Sequence, residues 1–370
     1  MTRLQNNITS FAEVNGIDVS LYEKAKDLYN HKRSISGDKT AHYDDKVAFS
    51  EKEAILDRDM LKAVAKMANI SEADMTKNPM AYMSNPMVRW ATFQVVSSVI
   101  DAILPESLIE TVGLYSEIKV IGYGDSASFD VKPRDLFAVS QAGRGKRNAE
   151  LHKQYNGTVT VVPQNHEVTV YVSMFRVLAG LESLGEFMMK AAKSIETALT
   201  YEIYDAFAAA MAALPTTTGA QQLNVTGYSQ ASFVTLAQKV TAWNMGRKAI
   251  AVGTQNALAA ILPTNTNFRY MLDSDYAKIG YVQTLAGIDT LVLPQVADYT
   301  TPFGLKLDDT KIYIISPTSD KLVKVALGGD TISTASDVFD NANLVQTGTM
   351  IKQWGVAVAT NSIAGIITLS

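Results

Sequence analysis

The chain has no cysteine in its 370 residues. That excludes disulfide frameworks, thiolate zinc sites and cysteine nucleophiles together. Histidine is scarce too. Four are present, His31, His42, His152 and His166, and none has a second histidine or a carboxylate at ligand spacing on a convincing helix, so neither a metal nor a cofactor is expected. A charge excess is also missing. The net charge is −4, which gives no global reason to coat nucleic acid, and any DNA nearby is expected to be enclosed, not gripped. The opening MTRLQNNITSFAEV lacks the apolar core of a secretory signal, which predicts a cytoplasmic chain. No segment is expected to reach the ~18 apolar residues of a membrane span. The candidate from Val88 to Leu104 carries Arg89 and Asp101, and the alanine-rich run from Ala206 stops at Pro215.

What is present is ordinary globular usage, 47% hydrophobic and 19% charged, in a chain long enough for about two lobes. Residues 1–50 are polar with weak periodicity and predict an extended arm holding one short helix near Leu21 to Tyr29. Glu51 to Ala68 predicts a helix with Ile55, Met60, Val64 and Met67 inward, and Pro86 to Leu104 a second with Trp90, Phe93, Val96, Ile100 and Ile103 inward. From Tyr115 the period changes to two. Ile118, Val120, Phe129 and Val131 alternate, and so do Val168, Val170 and Val172, so two strands bracket a polar, glycine-containing excursion. That excursion carries Arg144, Lys146, Arg147 and Lys153, and has too little apolar content to bury itself.

The strongest element follows. Ser183 and Glu186 stand at capping-box spacing. Leu184, Met188, Ala191, Ile195, Leu199, Ile203, Ala206 and Ala210 then mark one apolar face of a helix expected over residues 181–213, roughly 50 Å long. Leu184, Met188, Ile195 and Leu199 are its central packing residues. Beyond it, Gln230 to Trp243 predicts an amphipathic helix, Lys248 to Val252 a strand and Gln255 to Leu262 a helix. Thr290 to Leu293, Lys311 to Ser316 and Lys321 to Ala326 predict strands, and two more, Met350 to Thr360 and Ile363 to Leu369, close the chain.

Three motifs suggest chemistry, and a structural reading is favoured for each. Gly124, Asp125 and Ser126 spell the GDS of a serine esterase. No histidine follows His166 to act as base, so a polar turn opening the hairpin is preferred. GRGKR at 143–147 lacks the earlier glycine and the Ser or Thr after Lys of a phosphate loop. HYDD at 42–45 lies in the polar arm and reads as solvated.

The order of arm, strand, long basic hairpin, strand, very long helix, α/β lobe and terminal strands resembles the Hong Kong 97 fold of tailed-phage major capsid proteins. KAIAVGTQNALAAILP resembles the strand and helix that open its axial domain, and the closing GTMIKQWGVAVATNSIAGIITLS resembles the strand pair that returns to its peripheral domain. The resemblance implies an α+β fold with residues 1–110 as N-terminal arm and helices, and 111–223 as peripheral-domain strands with an E-loop at about 125–172 and a spine helix at about 181–213. It further implies an axial domain at 224–317 and return strands to the peripheral domain at 318–370. The function implied is structural, not enzymatic. The chain would self-assemble as hexamers and pentamers into an icosahedral head around double-stranded DNA, built in the host cytoplasm. Scaffolding, portal and decoration proteins would be further partners, with no membrane involved. Arg144, Lys146, Arg147 and Lys153 at the E-loop tip would touch neighbouring subunits. An encapsulin-type nanocompartment shell and a cytoplasmic serine hydrolase using the GDS at 124–126 are the alternatives.

Overall fold

The computed structural model describes residues 10–36, 41–113, 116–131, 157–216, 221–261, 280–293, 295–298, 301–316, 321–335, 346–359 and 363–369. Among the described residues, four long helices and a mixed sheet form most of the larger lobe. Helix α1 (Ser20–Ile35) packs on α2 (Phe49–Met67) and α3 (Pro86–Val112), and α3 lies against α4 (Leu184–Ala212). The short helix expected near Leu21 to Tyr29 is present and longer, Ser20–Ile35, and it packs into the lobe where the residues around it were expected to form an extended arm. Leu21, Tyr22, Ala25, Leu28 and Tyr29 recur at helical spacing and are all buried. Polar residues on the opposite face mask this stripe in a composition reading. Two polar groups inside the lobe are also satisfied locally: Arg33 pairs with Glu110 at 2.6 Å, and Tyr29 donates to Glu196.

Leu56, not Ile55, leads the buried face of α2, with Met60, Ala63 and Val64. Trp90 is 42% exposed, whereas Phe93, Val96, Ile100 and Ile103 are buried as the spacing predicts. Helix α3 runs on through Pro105 to 27 residues. Its stretch Pro86–Glu110 is, contrary to expectation, long and apolar enough by composition to cross a membrane. Its most apolar window is nevertheless 78% buried within the fold, which is what a core helix surrounded by other elements shows.

The first sheet has the order β1 (Ser116–Ile121), β12 (Val323–Gly328), β14 (Gln346–Val358), β13 (Ile332–Ala335), with β4 (Gln164–Val172) also paired to β14. β1 runs parallel to β12 and the other pairs are antiparallel. β14 reaches thirteen residues because its two halves have different partners: Gln346–Trp354 pairs with β4, and Trp354–Val358 with β12. At Gly348 this strand presses on α3, where an added Cβ would lie 2.0 Å from the ring of Phe93. Gly348→Ala is therefore expected to cost about 1–3 kcal/mol through overpacking, read as a lower urea midpoint with unchanged slope.

Between β1 and β4 a separate antiparallel ribbon forms from β2 (Ala127–Val131) and β3 (Gly157–Val161). The E-loop boundary of about 125–172 is corrected accordingly: residues 164–172 belong to the sheet, and the ribbon that carries the excursion ends at Val161. The alternation of Val168, Val170 and Val172 could not separate a projecting strand from a paired one, since both have period two.

The second sheet has the order β5 (Asn224–Thr226), β15 (Gly365–Thr368), β11 (Lys311–Ile315), β6 (Ile250–Gly253), β8 (Ile288–Val292), β7 (Thr284–Leu285). A two-stranded hairpin, β9 (Ala297–Asp298) with β10 (Gly304–Leu305), lies between β8 and β11. One face of the sheet is covered by α5 (Gln230–Trp243) and α6 (Gln255–Ala259), which bury Phe233, Leu236, Val240 and Leu258 against Ile312, Ile314 and Ile367. On the other face Val252, Tyr313, Ile315 and Ile366 join the core of the first lobe. The closing strands therefore part company. β14 returns to the first sheet as the resemblance implies, but β15 pairs with β11 and β5 in the second, because Ile366 and Ile367 face opposite sides and each fills a different core.

Candidate assembly elements and capsid family

The long helix is built from its ends inward. Ser183 accepts a hydrogen bond from the Glu186 N–H at 2.9 Å, as a capping box requires. The return half is not made by Glu186, whose carboxylate pairs with Lys190 at 2.9 Å and lies below its usual range because of that partner. Asp57, reaching over from α2, accepts from the Gly185 N–H at 2.6 Å and so fixes two helices at one point. A carboxylate there also complements the positive end of the helix dipole. Burial raises the Asp57 carboxyl, and the Gly185 and Ser183 donors offset part of that rise.

Over its 29 residues, about 43 Å, α4 buries Leu184, Met188, Ala191, Ile195, Leu199 and Ile203. In the last turns Phe207 and Met211 are buried where Ala206 and Ala210 were expected. The larger side chains are needed to reach the second sheet. Phe207 meets Tyr313 edge to face at 4.8 Å, and burial pushes the Tyr313 hydroxyl up to about 12. One helix thus touches both sheets.

Three polar clusters inside the first lobe were invisible to periodicity. Lys352 of β14, 1% exposed at its side chain, pairs with Asp101 of α3, which also accepts from the Thr331 N–H at 2.8 Å. Burial raises the Asp101 carboxyl, against the pull of Lys352 and Thr331. Glu196 accepts from Tyr29, from Ser107 at 2.9 Å and from Lys193 at 3.2 Å. His166 stacks on Trp354 at 3.7 Å and faces Glu202 at 3.5 Å, while Trp354 donates to the same carboxylate at 2.9 Å. His166 therefore works inside a sheet-to-helix joint and not in a projecting loop.

The GDS residues form an exposed turn, in which the Gly124 N–H donates to Gln353 at 2.8 Å. HYDD is correspondingly structural in part: the Asp44 N–H donates to Asp27 at 2.7 Å, and Tyr43 stacks on His31 at 4.3 Å. Among the described residues no group of three His, Asp or Glu is placed to hold a metal.

The ribbon is anchored by one aromatic. Phe129 is fully buried against Ala127, Val161 and Ala326. The Lys119 ammonium lies 4.4 Å from its ring centroid and that of Lys324 5.8 Å, and Lys324 pairs with Glu117 at 2.6 Å. The quadrupole of a buried ring attracts nearby cations, which adds to the stabilisation from burial. Periodicity had flagged Phe129 only as one alternating position. The tip residues Arg144, Lys146, Arg147 and Lys153 lie outside the described residues.

The described fold is a sheet laid along a lobe-length helix, a ribbon packed on that sheet through Phe129, and a second sheet at the helix's far end. Residues 36–368 match the family described as "SPbeta prophage-derived putative capsid protein YonB", and the chain belongs to that family of phage capsid proteins. Its place is the virion shell. None of the curated proteins matches it. Among solved structures, the capsid of the cyanophage P-SCSP1u is similar at 11% identity and a TM-score of 0.47, over 71% of this chain and 88% of that one. Mycobacterium phage Cain is similar at 12% and 0.46, over 70% and 89%, and a virus-like particle from Pyrococcus furiosus at 11% and 0.37, over 68% and 89%.

Proposed function

We propose that this chain is the major capsid subunit of a tailed phage. Copies of it associate as hexamers and pentamers and close an icosahedral head around double-stranded DNA in the host cytoplasm. The role is mechanical, not catalytic. The observation that carries this reading is the capsid-family match across residues 36–368; the firmly anchored ribbon agrees with it. A prophage-derived family favours a phage head over a nanocompartment shell made by the same kind of self-contact. The scaffolding, portal and decoration proteins of such a head are further partners of the reading.

The excursion between Val131 and Gly157 is proposed to strap neighbouring subunits through Arg144, Lys146, Arg147 and Lys153. Reversing Arg144, Lys146 and Arg147 to Glu tests it. Solvent-exposed charges contribute little to intrachain stability, whereas like-charge contacts across an interface cost several kcal/mol. The triple variant is expected to keep the wild-type circular dichroism spectrum and melting curve while sedimenting as small species. Trypsin is expected to cut this segment in free subunits and to spare it in shells. Normal shells from the variant, or equal cutting before and after assembly, would refute the strap.

A further inference from the structure

Among the described residues, four other than glycine have positive φ: Asn69, Met245, Ala286 and Phe303. Asparagine tolerates that region and alanine fills it in a tight turn, but a bulky side chain there is a conformational outlier. Both bulky cases point into water. Phe303 is fully exposed at φ 58°, and Met245 is 58% exposed at φ 59°. Each has an exposed apolar neighbour, Leu305 at 57% and Trp243 at 66%. Single exposed apolar residues are ordinary. Two strained ones, each backed by a second, call for a contact outside the chain.

Both sites are tied back to the fold by hydrogen bonds or ion pairs. The Phe303 hairpin is closed by the Gly304 N–H donating to the Thr301 carbonyl at 3.0 Å, in a turn so tight that a Cβ at Gly304 would lie 2.9 Å from Thr301. Its base is fixed to the spine helix by Lys306, which pairs with Asp205 at 2.9 Å and lies over the ring of Tyr201. The Met245 corner is held by Asn244, whose amide donates to the carbonyls of Val240 and Ile363, both at 2.7 Å.

Their positions are opposed. Met245 precedes the start of β6, at the end of the sheet where Ile250 pairs with Asp289 and Ile315. Phe303 follows the other end, where Gly253 pairs with Val292 and Ile312. Opposite ends of one sheet cannot meet within a chain. Joined between copies they make a head-to-tail contact, which closes into rings when the rotation per subunit allows.

We infer that the Phe303–Leu305 hairpin of one subunit packs on the Trp243–Met245 corner of the next. This rests on the shell-subunit reading and names the surface that reading leaves open. A second copy is the occupant because the two patches have matching apolar chemistry at the two ends of the same body, and because a capsid subunit's neighbours are copies of itself.

The absence of cysteine makes a direct test clean. In shells of the Trp243→Cys/Phe303→Cys double variant, a short bifunctional maleimide is expected to give a ladder of covalent multimers, and neither single variant should give one. Shells without a ladder, or dimers from a single variant, would overturn the contact and leave the shell reading standing. Wild-type chain that forms no shells would overturn both. Phe303→Asn supplies an independent check. Asparagine suits the left-handed backbone, so the free subunit should melt at or above the wild-type temperature while the concentration needed for assembly rises at least tenfold. Assembly of that variant at the wild-type concentration would also overturn the proposal, as would a hairpin that a decoration protein, not a second copy, covers in purified shells.

Discussion

Replacing Lys352 by Met is expected to destabilise the free subunit by about 3–5 kcal/mol, because it leaves the buried Asp101 carboxylate without its cation. Thr331 alone, donating at 2.8 Å from its N–H, cannot offset a full charge in that position. The loss should depend on pH with a definite sign. Burial already raises the Asp101 carboxyl above its ordinary value, and removing Lys352 raises it further. The native state of the variant then binds a proton that the unfolded state has released, so its stability falls as pH rises through the folded value and the deficit against wild type narrows in acid. The double variant Asp101→Asn/Lys352→Met keeps an acceptor for Thr331 and has no unpaired charge, and is expected to recover the greater part of the loss. Urea unfolding of the three proteins between pH 4 and pH 8 measures this. A single variant as stable as wild type at neutral pH would show that the pair is not buried as described.

Ile195→Asp should have a comparable or larger effect. Ile195 is 1% exposed on α4, next in sequence to Glu196, a carboxylate that is already buried and fully engaged with Tyr29, Ser107 and Lys193. A second carboxylate there finds no partner, at a cost of several kcal/mol, and the expected product is insoluble or unfolded chain. Ile195→Val, which removes one methylene, should cost about 0.5–1.5 kcal/mol and remain soluble. The soluble fraction of the two variants, expressed side by side, separates them. Equal solubility and assembly of Ile195→Asp would put that residue on the wrong face of the helix.

Elements with a long period were legible in the sequence. Seven turns of apolar spacing from Leu184 placed the spine helix to within a few residues, and Gln230–Trp243 agrees at both ends. Short-range signals misled where tertiary contacts decide the outcome. The helix expected over Pro86 to Leu104 continues through Pro105 as α3, because its buried surroundings outweigh one missing N–H. Within the expected arm only Leu21 to Tyr29 reads as helical, because Arg33, Lys24 and Lys26 dilute the stripe, although their partners Glu110, Asp59 and Glu106 come from other helices. The joining of Asp101 to Lys352, 251 positions apart, leaves no local trace, nor does the packing of Phe129 beside Lys119 and Lys324. Period two also fails to say which sheet a strand joins, which is why β4 and β15 were misplaced.

A capsid subunit works by binding copies of itself. Negative-stain electron microscopy of the purified protein tests it most directly. Closed shells of uniform diameter, or rings of five and six subunits, are expected above a threshold concentration. Particles the size of one 40.2 kDa chain at every concentration, with the ribbon ordered in them, would contradict it.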